Sequence, residues 1–126
     1  MLSVSSAYRY YVYRGQADMR KSFDGLSGLV RNELGKDPLS GEVFIFINKR
    51  CNQVKLLLWE GDGFSLYSKR LEKGTYELPS WKEQTPSIEL RSDELMLILQ
   101  GISLNSVHRR KRFYFQEKKS LNVLSS

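Results

Sequence analysis

The chain has 126 residues, 40% hydrophobic residues and a net charge of +6, which favours one globular domain and argues against disorder of the whole chain. No apolar run approaches the roughly 20 residues of a membrane-spanning helix, and the start shows no signal-peptide pattern, so a cytoplasmic protein is expected. The single cysteine, Cys51, excludes an internal disulfide and a zinc site built on paired cysteines.

The first part of the chain predicts a strand followed by a helix. The segment Tyr8–Tyr13 is rich in aromatic residues, as strands often are. Apolar residues then recur at helical spacing from about Met19 to Leu34, with Asp18 as the expected N-cap and Ser22 as the alternative. Gly35 is a natural residue just past the end of such a helix.

The middle of the chain, Glu42–Leu78, predicts an antiparallel meander of three or four strands. Val43–Ile47 is β-branched and aromatic throughout, so both of its faces need cover, and Phe44 and Ile45 are both expected to be buried. Gly61-Asp62-Gly63 supplies the positive-φ residues of a hairpin turn. The shorter fourth strand would contain Tyr76 and Leu78.

The last elements are an extended segment at Ile88-Glu89-Leu90 and a short helix with Ser92 as its expected N-cap. Leu95–Leu99 is apolar on nearly all sides, so this helix is either enclosed by the domain or pressed against a partner, a second copy of the chain included. The sequence therefore predicts an α+β fold. It consists of a mostly antiparallel sheet of four to five strands, one helix after the first strand and a short C-terminal helix. Residues 1–106 would form the single domain and residues 107–126 a basic segment, either free or docked.

Four blocks of the chain carry a resemblance to one family: DMRKSFDGLSGLV at 18–30, DPLSGEVFIFINKR at 37–50, KLLLWEGDGF at 55–64 and KRLEKGTYELP at 69–79. In order and spacing they resemble the small TnpB accessory proteins of bacterial insertion sequences of the IS66 type, which are unrelated to the RNA-guided nuclease of the same name. The resemblance covers about residues 8–102. This chain has Ala17 where the family often has proline, and leucines where a second tryptophan is common. The resemblance implies an accessory protein of transposition, encoded beside a larger transposase.

Basic residues are grouped along the chain, and each group is a candidate contact for DNA phosphates. One pair would lie in the first turn of the first helix, where backbone N–H groups suit an anion. Others lie in or beside the meander turns, where Trp59, Tyr67 and Tyr76 would either share a stacking face with them or pack in the core. The last group lies in the C-terminal segment, whose alternative role is a solvated tail. The candidates are Arg20, Lys21, Lys49, Arg50, Lys69, Arg70, Arg109, Arg110, Lys111 and Arg112.

No catalytic arrangement is visible in the sequence. His108 lies beside four cations, the carboxylates mostly occupy cap or turn positions, and there is no phosphate-binding glycine loop. The protein is therefore expected to be no enzyme and to bind no metal or cofactor. An isolated nuclease is the less favoured alternative. Two functions remain: DNA binding, which the concentrated charge favours, and an adaptor role toward the partner transposase. The adaptor candidates are Leu95, Met96, Leu99 and Trp59.

Overall fold

The computed structural model describes residues 4–78 and 84–100, and it confirms the expected fold class. The elements in chain order are β1 (Tyr10–Tyr13), α1 (Phe23–Asn32), β2 (Val43–Ile47), β3 (Gln53–Trp59), β4 (Phe64–Arg70), β5 (Ser87–Leu90) and α2 (Ser92–Leu99). The five strands form one sheet in the order β4-β3-β2-β1-β5. Among the strands of the described residues, only β1 and β2 pair in parallel, and every other neighbouring pair is antiparallel.

Strand β2 lies at the centre of the sheet and is covered on both faces. Phe44 and Phe46 pack on one face with residues of α1, which we call the α1 face. Ile45 packs on the other face with residues of α2, the α2 face. Phe44 is 0% exposed and Ile45 1% exposed, which confirms that both are buried.

The meander has three strands, because the shorter fourth strand expected near Tyr76 does not form. The backbone N–H of Tyr76 donates to the Cys51 carbonyl in the β2–β3 turn, at 2.6 Å, instead of entering a ladder. Its side chain is buried on the α2 face. Pro79, which is expected to end the meander because proline cannot donate to a strand ladder, lies outside the described residues.

Helix α1 begins at Phe23, four residues later than expected, and Ser22 is its N-cap. The expected cap, Asp18, is used in a local turn: its Oδ1 accepts the backbone N–H of Arg20 at 2.9 Å, and its carbonyl accepts the N–H of Lys21. Arg20 and Lys21 therefore precede the helix, and the prediction that they lie in its first turn is wrong.

Helix α2 buries one side against the sheet and exposes the other, although its sequence is apolar on nearly all sides. Leu95 and Ile98 are buried against the sheet, Leu99 is partly buried, and Met96 is 44% exposed. The N-cap is Arg91, one residue before the expected Ser92, which is the first residue of the helix. The backbone N–H of Arg91 donates to Oε1 of Glu94 at 2.9 Å, which stabilises the start of the helix. The helix is thus enclosed by the domain along one side.

Candidate nucleic-acid interface

Three separate segments meet at one end of the sheet. The Ala17 N–H donates to the carbonyl of Ile47 at the end of β2, at 3.0 Å. The Leu71 N–H, just after β4, donates to the carbonyl of Asn52 at 2.7 Å. We call residues 14–24, 48–55 and 69–77 together the basic end. Its cations are Arg14, Arg20, Lys21, Lys49, Arg50, Lys55, Lys69, Arg70 and Lys73.

All of these cations except Lys55 are exposed, and only four acidic residues lie in the same segments: Asp18, Asp24, Glu72 and Glu77. The three pairs of basic residues that the sequence marks out within the described chain are brought together here. The fourth group, Arg109 to Arg112, lies outside the described residues.

Hydrogen bonds of the Asn48 side chain stabilise the β2–β3 turn, which carries Lys49 and Arg50. The Oδ1 of Asn48 accepts the N–H groups of Asn52 and Gln53, each at 3.0 Å, and its Nδ2 donates to Oδ1 of Asn52 at 2.7 Å. The turn also places Cys51 at a φ of 57°, a conformation that non-glycine residues rarely adopt. The two cations are therefore presented at the tip of a well-connected turn.

The loop that carries Arg20 and Lys21 is tied to the sheet by Lys55. The Lys55 ammonium group donates to the carbonyls of Met19 and Lys21, each at 2.8 Å. These contacts of Lys55 were not expected, since a lysine within a strand pattern gives no sign that its side chain reaches another loop. The Asn48-Lys49-Arg50-Cys51-Asn52 pattern did mark a turn, but not the side-chain bonds that hold it.

Arg20 is partly neutralised by its neighbour Asp18. Its Nε donates to Oδ1 at 3.0 Å and its Nη2 to Oδ2 at 2.7 Å. This side-chain hydrogen bond, together with the Arg20 backbone N–H, lowers the pKa of Asp18 to about 2. The same hydrogen bond raises the pKa of Arg20. The positive charge that Arg20 offers to a ligand is therefore reduced.

Lys69 and Arg70 lie at the end of the edge strand β4 and point to opposite faces of the sheet. Arg70 is opposite Gln53 in the register, on the α1 face, and Lys69 is opposite Val54, on the α2 face. Glu72 lies 4.0 Å from the Arg70 guanidinium, and both side chains are largely exposed. The pair therefore widens the basic end across both faces and does not form a single contact point.

The stacking face suggested for three aromatic residues is not formed. Trp59 lies at the far end of β3 from the Lys49-Arg50 turn, in an edge-to-face contact with Phe64 at 5.0 Å. Tyr76 is 2% exposed, and Tyr67 packs against the core of the α2 face. These side chains stabilise the fold instead.

The four candidates for partner binding do not form one surface. Trp59 lies on the α1 face of β3, whereas Leu95, Met96 and Leu99 belong to α2 on the opposite face. Leu95 is 1% exposed and is part of the core, so it is not accessible to a partner while α2 is docked. Met96 is the most exposed of the three α2 residues.

Within residues 4–78 and 84–100, no group of three or more His, Cys, Asp and Glu residues is arranged to hold a metal ion. In the same part of the chain, no helix has the length and apolar character needed to cross a membrane.

Comparisons with known proteins find one family. The family model described as IS66 Orf2 like protein matches residues 8–109. The chain is also similar to two Sinorhizobium fredii proteins that carry the names uncharacterized protein y4jC and uncharacterized protein y4hO. It is 31% identical to y4jC over 110 residues, which cover 87% of this chain and 92% of the relative. It is 30% identical to y4hO over 102 residues, which cover 81% and 87%. No solved structure matches.

Proposed function

The chain belongs to the family of IS66 Orf2-like proteins, which are associated with transposition, and we propose that it is a non-catalytic accessory protein that binds DNA through its basic end. Family membership confirms the resemblance seen in the sequence. The observation that carries the DNA proposal is the convergence of basic residues from three separate segments at one end of the sheet.

The distribution of charge supports this proposal more than its total does. The described residues contain thirteen basic and twelve acidic side chains, so this part of the chain is close to neutral. The basic end holds nine of the basic and four of the acidic side chains, which leaves four basic and eight acidic side chains for the rest. Such a separation creates a local positive field that attracts a polyanion. Phosphate contacts then gain free energy from the release of counterions.

The contacts inside the basic end also favour a binding role. Asn48 holds the turn that carries Lys49 and Arg50, and Lys55 holds the loop that carries Lys21. Cations on anchored loops lose less conformational freedom on binding than cations on free chains do. The anchoring therefore supports a preformed phosphate-binding surface.

The test is a titration of the full chain against element-end duplex and scrambled duplex at several salt concentrations. Lys49→Gln/Arg50→Gln should weaken binding to both duplexes and reduce the slope of log affinity against log salt by about 2. The matched control, Arg31→Gln/Arg91→Gln, removes the same charge outside the basic end and should change the slope little. Equal effects of the two variants would contradict a localised interface. Failure of the parent protein to bind either duplex would contradict DNA binding altogether.

An adaptor that binds the partner transposase is the alternative function. It is favoured by one observation: Met96 is 44% exposed on α2, beside the partly buried Leu99. Met96→Glu should abolish capture of the purified transposase of the same element if this helix binds it, and leave DNA affinity unchanged.

We propose no catalytic role and no metal, and magnesium-dependent DNA cleavage that disappears in Asp18→Asn or Asp62→Asn would contradict this.

A further inference from the structure

The basic end contains two aromatic residues, and they differ in their surroundings. Tyr76 is 2% exposed and packs in the core of the α2 face. Phe23, the first residue of α1, is 41% exposed and belongs to neither core cluster, nor to the partly buried residues packed against them. Phe23 is therefore an aromatic ring that the fold leaves accessible among cations.

The position of Phe23 is set by the loop that precedes it. Lys55 binds the carbonyls of Met19 and Lys21, so the chain is fixed to the sheet two residues before Phe23. Arg20 and Lys21 are both exposed in the same loop. Lys21 is two residues before Phe23 in the chain, so a ligand phosphate held by Lys21 would bring its nucleotide to the side of the molecule on which Phe23 is exposed.

From this placement we infer that Phe23 stacks on an unpaired base, and that the basic end accepts single-stranded DNA. The inference rests on the proposed DNA-binding function and specifies the form of DNA. Phenylalanine carries no hydrogen-bonding group, so it offers a nucleotide only a flat apolar face. Every base has a complementary face, and aromatic side chains beside basic grooves are how proteins bind single strands without reading sequence. In an intact duplex the bases stack on one another, and that face is not available.

Single exposed apolar side chains are common on protein surfaces, so exposure alone does not distinguish a binding residue. The chain offers a matched comparison. Tyr8 is also 41% exposed, but it lies outside the basic end, next to the ion pair of Arg9 with Glu89. If exposure alone determined a contribution to DNA binding, Tyr8 and Phe23 would contribute equally to the affinity. If location among the cations matters, only Phe23 contributes to DNA binding.

The experiment measures binding of the full chain to a fluorescent 12-nucleotide single strand and to a duplex of the same sequence. Phe23→Ala should weaken binding to the single strand about tenfold and to the duplex less than twofold. Phe23→Tyr, which keeps the ring, should bind like the parent. Phe23→Leu, which keeps apolar bulk without the ring, should lose affinity as the alanine variant does. Tyr8→Ala should bind both forms like the parent.

Several outcomes would overturn the inference. Unchanged single-strand affinity in Phe23→Ala would show that no base stacks there, while DNA binding itself would stand. An equal loss on single strand and duplex, or full affinity in Phe23→Leu, would show that the ring is not used for stacking. Absence of DNA binding by the parent protein would instead contradict the proposed function on which the inference rests. Melting temperatures within a few degrees of the parent's would show that the variants are folded.

Discussion

The ion pair between Asp18 and Arg20 lies in the turn before α1 and reduces the positive charge of the basic end. The Arg20 side chain is 91% exposed, yet its fork of hydrogen bonds keeps the carboxylate ionised and lowers the Asp18 pKa to about 2. A lowered pKa in the folded state means that the pair stabilises the fold above the unfolded value of 3.8 and loses that effect as the pH falls toward 2. Because the pair is exposed, its contribution is small.

Arg20→Gln is therefore expected to raise the pKa of Asp18 toward 3.8. The measurement is a titration of the Asp18 carboxyl carbon by NMR, in the parent and the variant. The difference in melting temperature between the two proteins should be largest above pH 4 and vanish near pH 2. An Asp18 pKa that is the same in both proteins would show that the backbone N–H of Arg20, and not its guanidinium group, holds the carboxylate.

The Lys55 side chain connects two parts of the fold, because it joins the loop before α1 to strand β3. Replacing it by methionine keeps most of the side-chain volume but leaves the carbonyls of Met19 and Lys21 without their donor. A hydrogen bond to a charged group contributes about 1.5–3 kcal/mol, so Lys55→Met should lower the free energy of unfolding by at least about 1 kcal/mol. Amide exchange at residues 19–23 should also become faster.

The matched control is Lys73→Met, which removes one exposed charge from the same basic end. Both variants should weaken DNA binding through loss of charge, but only Lys55→Met should lower stability. Equal stability of the two variants in urea unfolding would show that Lys55 does not fix the loop.

Strand β2 is the element on which both layers of the core depend. Phe44 and Ile45 are adjacent but pack on opposite faces of the sheet, one toward α1 and one toward α2. Truncation of either residue to alanine should cost about 2–5 kcal/mol, because it removes buried surface and leaves a cavity. Urea unfolding measures this cost, and Leu39→Ala, at a position that is 44% exposed, should change stability by less than about 1 kcal/mol. A similar cost at all three positions would contradict the central place of β2.

At the scale of the whole molecule, DNA binding would combine the basic end with the basic segment at residues 107–126, whose structure lies outside the described residues. Replacing Arg109, Arg110, Lys111 and Arg112 by alanine should weaken binding similarly for every duplex sequence and reduce the salt slope by roughly 3. The melting temperature should barely change if the segment is free. A docked segment would instead show itself through Phe113→Ala, which would lower both stability and affinity. Unchanged affinity of the four-alanine variant at low salt would leave the basic end as the whole interface.

The features of this protein that can be predicted from its sequence are local ones. The strands of the meander follow from alternating and continuous apolar runs between turn residues, and the burial of β2 follows from a run with no polar face. The groups of basic residues and the family blocks are also visible without a structure. These features are set by interactions over a few residues, so a linear pattern records them.

Which of these groups of residues lie close together depends on how the strands and helices pack. Strand β1 lies between β2 and β5 and pairs in parallel with β2, and this order brings the loop with Lys21 beside the end of β2. The reach of Lys55 to that loop and the accessible ring of Phe23 depend on the same packing. Each of these results from contacts between residues far apart in the chain, whose energies depend on the whole arrangement of the sheet and helices. A single sequence carries no local pattern for such contacts, and for that reason the basic end emerges only when the sheet is assembled.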